Sequence, residues 1–415
     1  MMRREKRKIW QLPWSYKESL IIVFGIIIVG FSLQTIIGGF NFYLLIYPFN
    51  LYLGIIILIF ILLSLIFQKN AFFKWLTSLH LSTSLLIAIT LLSLILGLTK
   101  QDNGAINSED VNIFYHLGFN QMTSSWAFVF IYFLILLSLG AIIAKRKPSF
   151  TKKYTIFLLN HLGLWIILFF AGLGYADTKR YIMYVNVGEI EWRVFDKENR
   201  VQELPIAIQL NKFTIEEYIP KLAIVNKKTS EILPKDKPEY FQIDTNNKKE
   251  ISFNGYKIKL IDYIHNAVRS SDSTFKEVPM KASTPAAFVQ VKTQKIDKTK
   301  WVSAGNSIQF PMALDIDSSL AIVMTPAEPK SFISNIEVYT KEGTNVKTEL
   351  RVNHPLKVGK WKIYQYGYDN NMGKMSSYSS FELVYDPWLN IVYVGIALLG
   401  LGSLLLIIFG INYKK

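Results

Sequence analysis

The run Ile156-Phe-Leu-Leu-Asn-His-Leu-Gly-Leu-Trp-Ile-Ile-Leu-Phe-Phe-Ala-Gly-Leu-Gly174 decides what kind of protein this is. It exceeds the roughly 18 apolar residues at which a segment reads as a transmembrane helix. Asn160 and His161 interrupt it. An ionisable side chain at membrane depth is costly to keep, so His161 marks a candidate functional site.

Working outward, five further spans are expected near residues 18–39, 45–67, 82–99, 125–144 and 389–411. The hydrophobic fraction of 51% is concentrated in these spans and not spread along the chain. The first span lacks a small-residue cleavage site and a second follows at once, which predicts an anchor and not a removed signal peptide.

The formal charge of +15 follows the spans and is not a nucleic-acid signature. Arg3, Arg4, Lys6, Arg7 and Lys8 precede the first span, Lys69 and Lys74 follow the second, and Lys145, Arg146, Lys147, Lys152 and Lys153 lie between the fourth and fifth. Lys414 and Lys415 end the chain. The intervening loops differ: residues 40–50 carry no Lys or Arg, and 100–124 set Lys100 against Asp102, Glu109 and Asp110. By the positive-inside rule both termini are cytoplasmic and residues 176–388 are extracytoplasmic, in a multi-pass protein of the cell's inner (cytoplasmic) membrane. The bilayer is thus the first partner.

There is no cysteine. That excludes a disulfide framework, a CxxCH haem attachment, a CxxC redox couple and a thiolate zinc site in this chain.

Four segments follow. Residues 1–71 form a basic cytoplasmic tail, with Trp10 and Trp14 as interface anchors, and two helices. Residues 72–175 form a three-helix core, and 389–415 form a final helix and tail. Residues 176–388 have another texture: Tyr256–Tyr263, Ala287–Thr293 and Trp361–Tyr368 alternate as strands with one buried face. The fold class is therefore an integral-membrane α-helical bundle of about six helices, with one large β-rich, sandwich-like domain inserted before the last helix. Within that domain a helical turn is expected at Thr214–Tyr218, and polar loops near 226–239 and 267–284. Asp386-Pro387 starts the last helix, with Asp386 as its N-cap.

His161 lies about seven residues from the basic end of its helix, roughly 10 Å at 1.5 Å per residue. Helical spacing puts Phe157, Trp165 and Leu168 on its face, with Gly163 leaving room beside it. Two readings stay open. A neutral imidazole in an apolar setting suits axial ligation of haem iron, with Phe157 and Trp165 as an aromatic wall. Alternatively, Asn160 or His161 is a polar contact between helices.

Several motifs in order resemble the ResB (CcsB) family of System II cytochrome c biogenesis. They are Trp75-Leu-Thr-Ser-Leu-His-Leu-Ser-Thr-Ser-Leu-Leu86, Tyr115-His-Leu-Gly118, Ser125-Trp-Ala-Phe128 and Asn160-His-Leu-Gly163. Phe213-Thr-Ile-Glu-Glu-Tyr-Ile-Pro-Lys-Leu222, Val352-Asn-His-Pro-Leu356, Gly359-Lys-Trp-Lys-Ile-Tyr-Gln365 and Asp386-Pro-Trp-Leu-Asn-Ile-Val-Tyr393 continue it. The resemblance covers about residues 72–410; the first two spans depart from the family's usual four-span plan.

The resemblance implies that the chain, with a CcsA/ResC-type partner, binds haem b in transit and delivers it outward for covalent attachment to apocytochrome c. Thiol reduction would fall to a separate protein. His161 would be the haem-iron ligand, and the second ligand would come from the partner, with His80 the runner-up in this chain. No turnover is expected from this chain alone, only as part of a haem lyase complex. A competing reading is a membrane-tethered binding or structural module without haem, whose β-domain recognises an envelope partner. His116, His265 and His354 are expected in a loop, after a strand and in a turn.

Overall fold

The computed structural model describes residues 10–101, 113–243, 250–253, 256–271, 274–343 and 345–410. The basic residues 3–8, the acidic residues of the 100–124 loop and Lys414–Lys415 lie outside them. The chain divides into two compact units, residues 1–179 with 385–415, and residues 180–384.

The first unit is helical: α1 (Tyr16–Ile37), α2 (Phe49–Ile66), α3 (Ala71–Leu76), α4 (Leu79–Leu98), α5 (Ile113–His116), α6 (Trp126–Lys145), α7 (Lys152–Gly174) and α8 (Leu389–Gly410). Six of its helical segments are long and apolar enough to cross a membrane, so this is a multi-pass membrane protein. Hydroxyl side chains start the helices. Ser78, Ser125 and Thr151 accept from the backbone N–H three residues on, satisfying a donor that no helical carbonyl reaches. Asp386 caps the last helix as expected, accepting from the N–H groups of Trp388 and Leu389 at 3.1 and 3.0 Å.

Large apolar side chains such as Ile36, Leu62, Leu98 and Ile407 are exposed, as befits a surface solvated by lipid. Small residues mark the close crossings, where backbones and not side chains meet. A Cβ on Gly30 of α1 would lie 2.4 Å from Ala127 Cα of α6. One on Gly163 of α7 would lie 2.6 Å from the Leu399 nitrogen of α8. Gly163 therefore does not leave room for a ligand. It brings α8 against α7, the most extensive helix pair in the unit.

Asp177, just past α7, is a buried hub. Its carboxylate accepts from the Tyr47 N–H (2.8 Å), Asn50 Nδ2 (2.7 Å) and Trp388 Nε1 (2.7 Å), while Asn50 also donates to the Leu173 carbonyl (3.1 Å). The N-terminal end of α2, the end of α7 and the start of α8 are joined at one side chain. Asp177→Ala strands the Tyr47 and Trp388 donors and should destabilise the unit by about 3 kcal/mol. Asp177→Asn should lose less. Thermal unfolding in detergent checks the order; equal melting of Asp177→Ala and wild type would contradict it.

The second unit is built of strands. In its first half are β1 (Lys179–Asn186), β2 (Ile190–Phe195), β3 (Val201–Glu217), β4 (Lys221–Asn226), β5 (Phe241–Gln242), β6 (Glu250–Phe253), β7 (Tyr256–Arg269) and β8 (Phe275–Glu277). There follow β9 (Thr284–Lys292), β10 (Asp297–Ser303), β11 (Leu314–Asp315), β12 (Leu320–Met324), β13 (Pro329–Thr340), β14 (Asn345–Arg351), β15 (Leu356–Val358), β16 (Trp361–Tyr368) and β17 (Tyr378–Tyr385).

An eight-stranded sheet has the order β14-β13-β3-β2-β1-β17-β16-β15. Its antiparallel β13–β3 register sets Ile336 opposite Leu210 and Val338 opposite Ile208, all fully buried. The sheet curls on itself: Ser334 of β13 donates to Gln365 of β16 (2.6 Å), and Gln365 donates to Ser379 of β17 (2.7 Å). Two smaller sheets, β10-β9-β7-β6 and β11-β12-β4-β5, enclose a second core of Leu222, Ile224, Leu260, Val289, Val291 and Ile322. The domain thus pairs a curled sheet with a sandwich, each with its own core.

Three local expectations change. Thr214–Tyr218 is not a helical turn: β3 runs through Glu217, burying Phe213 and Ile215 while Glu216 points out. Period-two burial overrides the helical preference of the glutamates. The 267–284 stretch is not wholly loop, since β7 reaches Arg269 and β8 pairs back onto it. His265 lies within β7, not after it.

Candidate functional site

His161 sits in the third turn of α7, half-buried, nine residues after the first helical residue, Lys152. Thr151 caps the helix through the Tyr154 N–H, so the helix starts earlier than the apolar run and the imidazole lies about 14 Å along it.

The imidazole Nδ1 is 2.9 Å from the Phe157 carbonyl oxygen, one turn back. A carbonyl only accepts, so Nδ1 carries the hydrogen and donates it, and in a neutral imidazole Nε2 then keeps the lone pair. Among the described residues nothing donates to Nε2. The Phe157 ring lies almost parallel to the imidazole, with centroids 4.1 Å apart and planes at 27°. The Arg146 guanidinium lies over the Phe157 ring at 5.0 Å. A helix-internal hydrogen bond and a stacked ring therefore fix the imidazole in one tautomer, with a free acceptor nitrogen. A second hydrogen bond of this kind is what orients an imidazole that binds a metal. Among the described residues no group of three or more His, Cys, Asp or Glu could hold a metal ion.

The interhelical polar contact falls to the neighbouring residue. Asn160 Oδ1 accepts from Ser403 Oγ of α8 (3.1 Å), and its Nδ2 donates to the Ile156 carbonyl (2.9 Å). Successive helical residues point about 100° apart, so the side chain that reaches α8 and the one that presents Nε2 are different. The spacing of Gly395 and Gly402, two turns apart, is the sequence signal for this face: a Cβ on Gly402 would lie 2.8 Å from the Asn160 nitrogen. Asn160→Leu should cost the pairing about 1 kcal/mol. The variant should melt lower than wild type while its His161 properties stay unchanged, and unchanged melting would contradict the assignment.

The other predicted residues are not gathered at His161. Trp165 follows one turn later but is committed to α6, its Nε1 donating to the Leu136 carbonyl at 3.1 Å and its ring stacking on Phe169 at 4.5 Å. His80 lies in the first turn of α4 and packs edge-on against Tyr16 of α1, centroids 4.4 Å apart. α4 packs chiefly on α1 and α6, and α7 on α8 and α6. His116 is exposed beside Tyr115, His265 is exposed with Nδ1 3.3 Å from the Tyr263 hydroxyl, and His354 is in a turn bridged to Arg351. The basic residues between α6 and α7 tie helix ends together: Lys145 donates to Thr77 Oγ1 (2.9 Å), and Lys152 lies over Phe409 (4.5 Å).

Residues 286–379 match the model of the ResB-like family, a stretch running from β9 into β17. Over these residues the chain is similar to the ResB-like family. This match supports a role in cytochrome c biogenesis. The matched stretch lies within the β-domain, so the helical residues of this chain, His161 among them, fall outside it. No curated protein matches. A solved structure described as Cytochrome c Heme Lyase CcmF matches at 10% identity and a TM-score of 0.21, covering 95% of this chain and 46% of that one. This chain thus spans less than half of that chain's length, and a likeness at such a score carries no argument.

Proposed function

We propose that this chain holds haem within the membrane through His161 Nε2 and, with a CcsA/ResC-type membrane partner, passes it outward for covalent attachment to apocytochrome c. The observation that carries this reading is the tautomer of His161: Nδ1 is bound to the Phe157 carbonyl and Nε2 is open. Haem is cargo here. Its iron takes the imidazole as one axial ligand, and the Phe157 ring flanks that ligand. His80, turned onto Tyr16, is the weaker candidate for the second position, so the partner supplies it.

The alternating basic loops orient the protein, with both termini in the cytoplasm and the β-domain outside the inner membrane. The haem taken up is haem b, entering from the inner leaflet where α7 begins. With no cysteine, the chain leaves thiol reduction to a separate protein. The test is co-expression with a CcsA-type protein followed by purification and visible spectroscopy. A Soret band in the complex is expected. A stable complex without haem, under conditions where the cells make haem, would overturn the proposal.

A further inference from the structure

Arg146 ends α6 and is exposed, its guanidinium lying over the Phe157 ring whose stacked neighbour is His161. No acidic residue occurs in the sequence between Asp110 and Asp177, so neither α6, α7 nor their connection offers it a carboxylate. Among the described residues it makes no ion pair. Its basic neighbours differ: Lys145 is bound to Thr77, and Lys152 is drawn to Phe409. A guanidinium is a planar fork that matches a carboxylate with two parallel hydrogen bonds, and it keeps its charge at any working pH.

We propose that Arg146 is the carboxylate receptor of the His161 site, pairing with a propionate of the bound haem. This rests on the reading of His161 as the haem ligand. Haem carries both propionates on one edge of the macrocycle. Two ring-to-ring steps, 5.0 and 4.1 Å, separate the guanidinium from the imidazole, so one ligand can engage the iron-binding nitrogen and the charge together. The pairing fixes the orientation of the macrocycle, propionate edge toward the basic end of α7, and with it the order in which haem enters. Arg146 is a positioning residue here, and the iron bond belongs to His161.

The test titrates the purified full-length chain in detergent with haem and with haem dimethyl ester, whose propionates carry no charge, reading the Soret band. Wild type should prefer free-acid haem. Arg146→Gln should weaken free-acid haem by about tenfold and leave the ester unchanged. Arg146→Lys, which keeps the charge without the fork, should fall between them and guards against misfolding of the glutamine variant. Equal loss for both ligands in Arg146→Gln would make Arg146 a mere support for Phe157 and overturn the proposal, as would no loss for either. His161→Ala separates the two readings: if it binds both ligands like wild type, the ligand assignment fails, whatever Arg146 does.

Discussion

His161→Ala should lose more than about tenfold of the haem that copurifies with the wild-type chain and its partner, with the helical unit still folded. The expectation follows from the division of labour between adjacent residues. Asn160 holds α8 through Ser403, whereas His161, among the described residues, makes only the intrahelical bond to the Phe157 carbonyl. Removing the imidazole therefore deletes the proposed ligand and leaves the Asn160–Ser403 hydrogen bond between the helices in place. Haem per protein, from the pyridine haemochrome spectrum, and melting of the same preparation check both halves. Retained haem would exclude ligation by His161; a collapsed melting transition would mean that the imidazole supports the fold.

The second large effect is steric. Gly163→Leu should destabilise the helical unit by about 3 kcal/mol or more, because the added Cβ meets the Leu399 nitrogen at 2.6 Å and the Gly395 carbonyl oxygen at 2.8 Å. Both are backbone atoms of α8, which cannot rotate aside as a side chain would. The helices must separate, and the Asn160–Ser403 bond goes with them. Gly400→Leu, on α8, is the control, since a Cβ there meets nothing within 4 Å. Melting in detergent should fall for Gly163→Leu and hold for Gly400→Leu. Equal melting of the two would contradict the α7–α8 crossing.

The helices were legible because lipid imposes a length and an apolar composition that few other structures share, and Ser78, Ser125 and Thr151 mark their starts. The strand Trp361–Tyr368 was legible to the residue because its alternation is regular. Thr214–Tyr218 was misread because five residues with two glutamates suit a helix until the packing of Phe213 and Ile215 is known. Gly163 was misread for a related reason. A glycine beside a histidine allows two readings, a vacant space or a close helix, and only the position of α8 decides between them. Phe157 could be placed over His161 from helical spacing alone, since both lie on one helix. Trp165, at the same spacing, could not, because the Leu136 carbonyl that takes its indole N–H lies on α6. Asp177 was passed over: its partners Tyr47, Asn50 and Trp388 are distant in the chain, and no local pattern announces such a hub.

The central claim is that Nε2 of His161 binds the iron, and a cavity variant tests it most directly. His161→Gly removes the imidazole and leaves a space that free imidazole can enter. With the partner present, His161→Gly should show a weak Soret band that returns toward the wild-type intensity and position when imidazole is added. A full wild-type Soret band in His161→Gly without imidazole would contradict it.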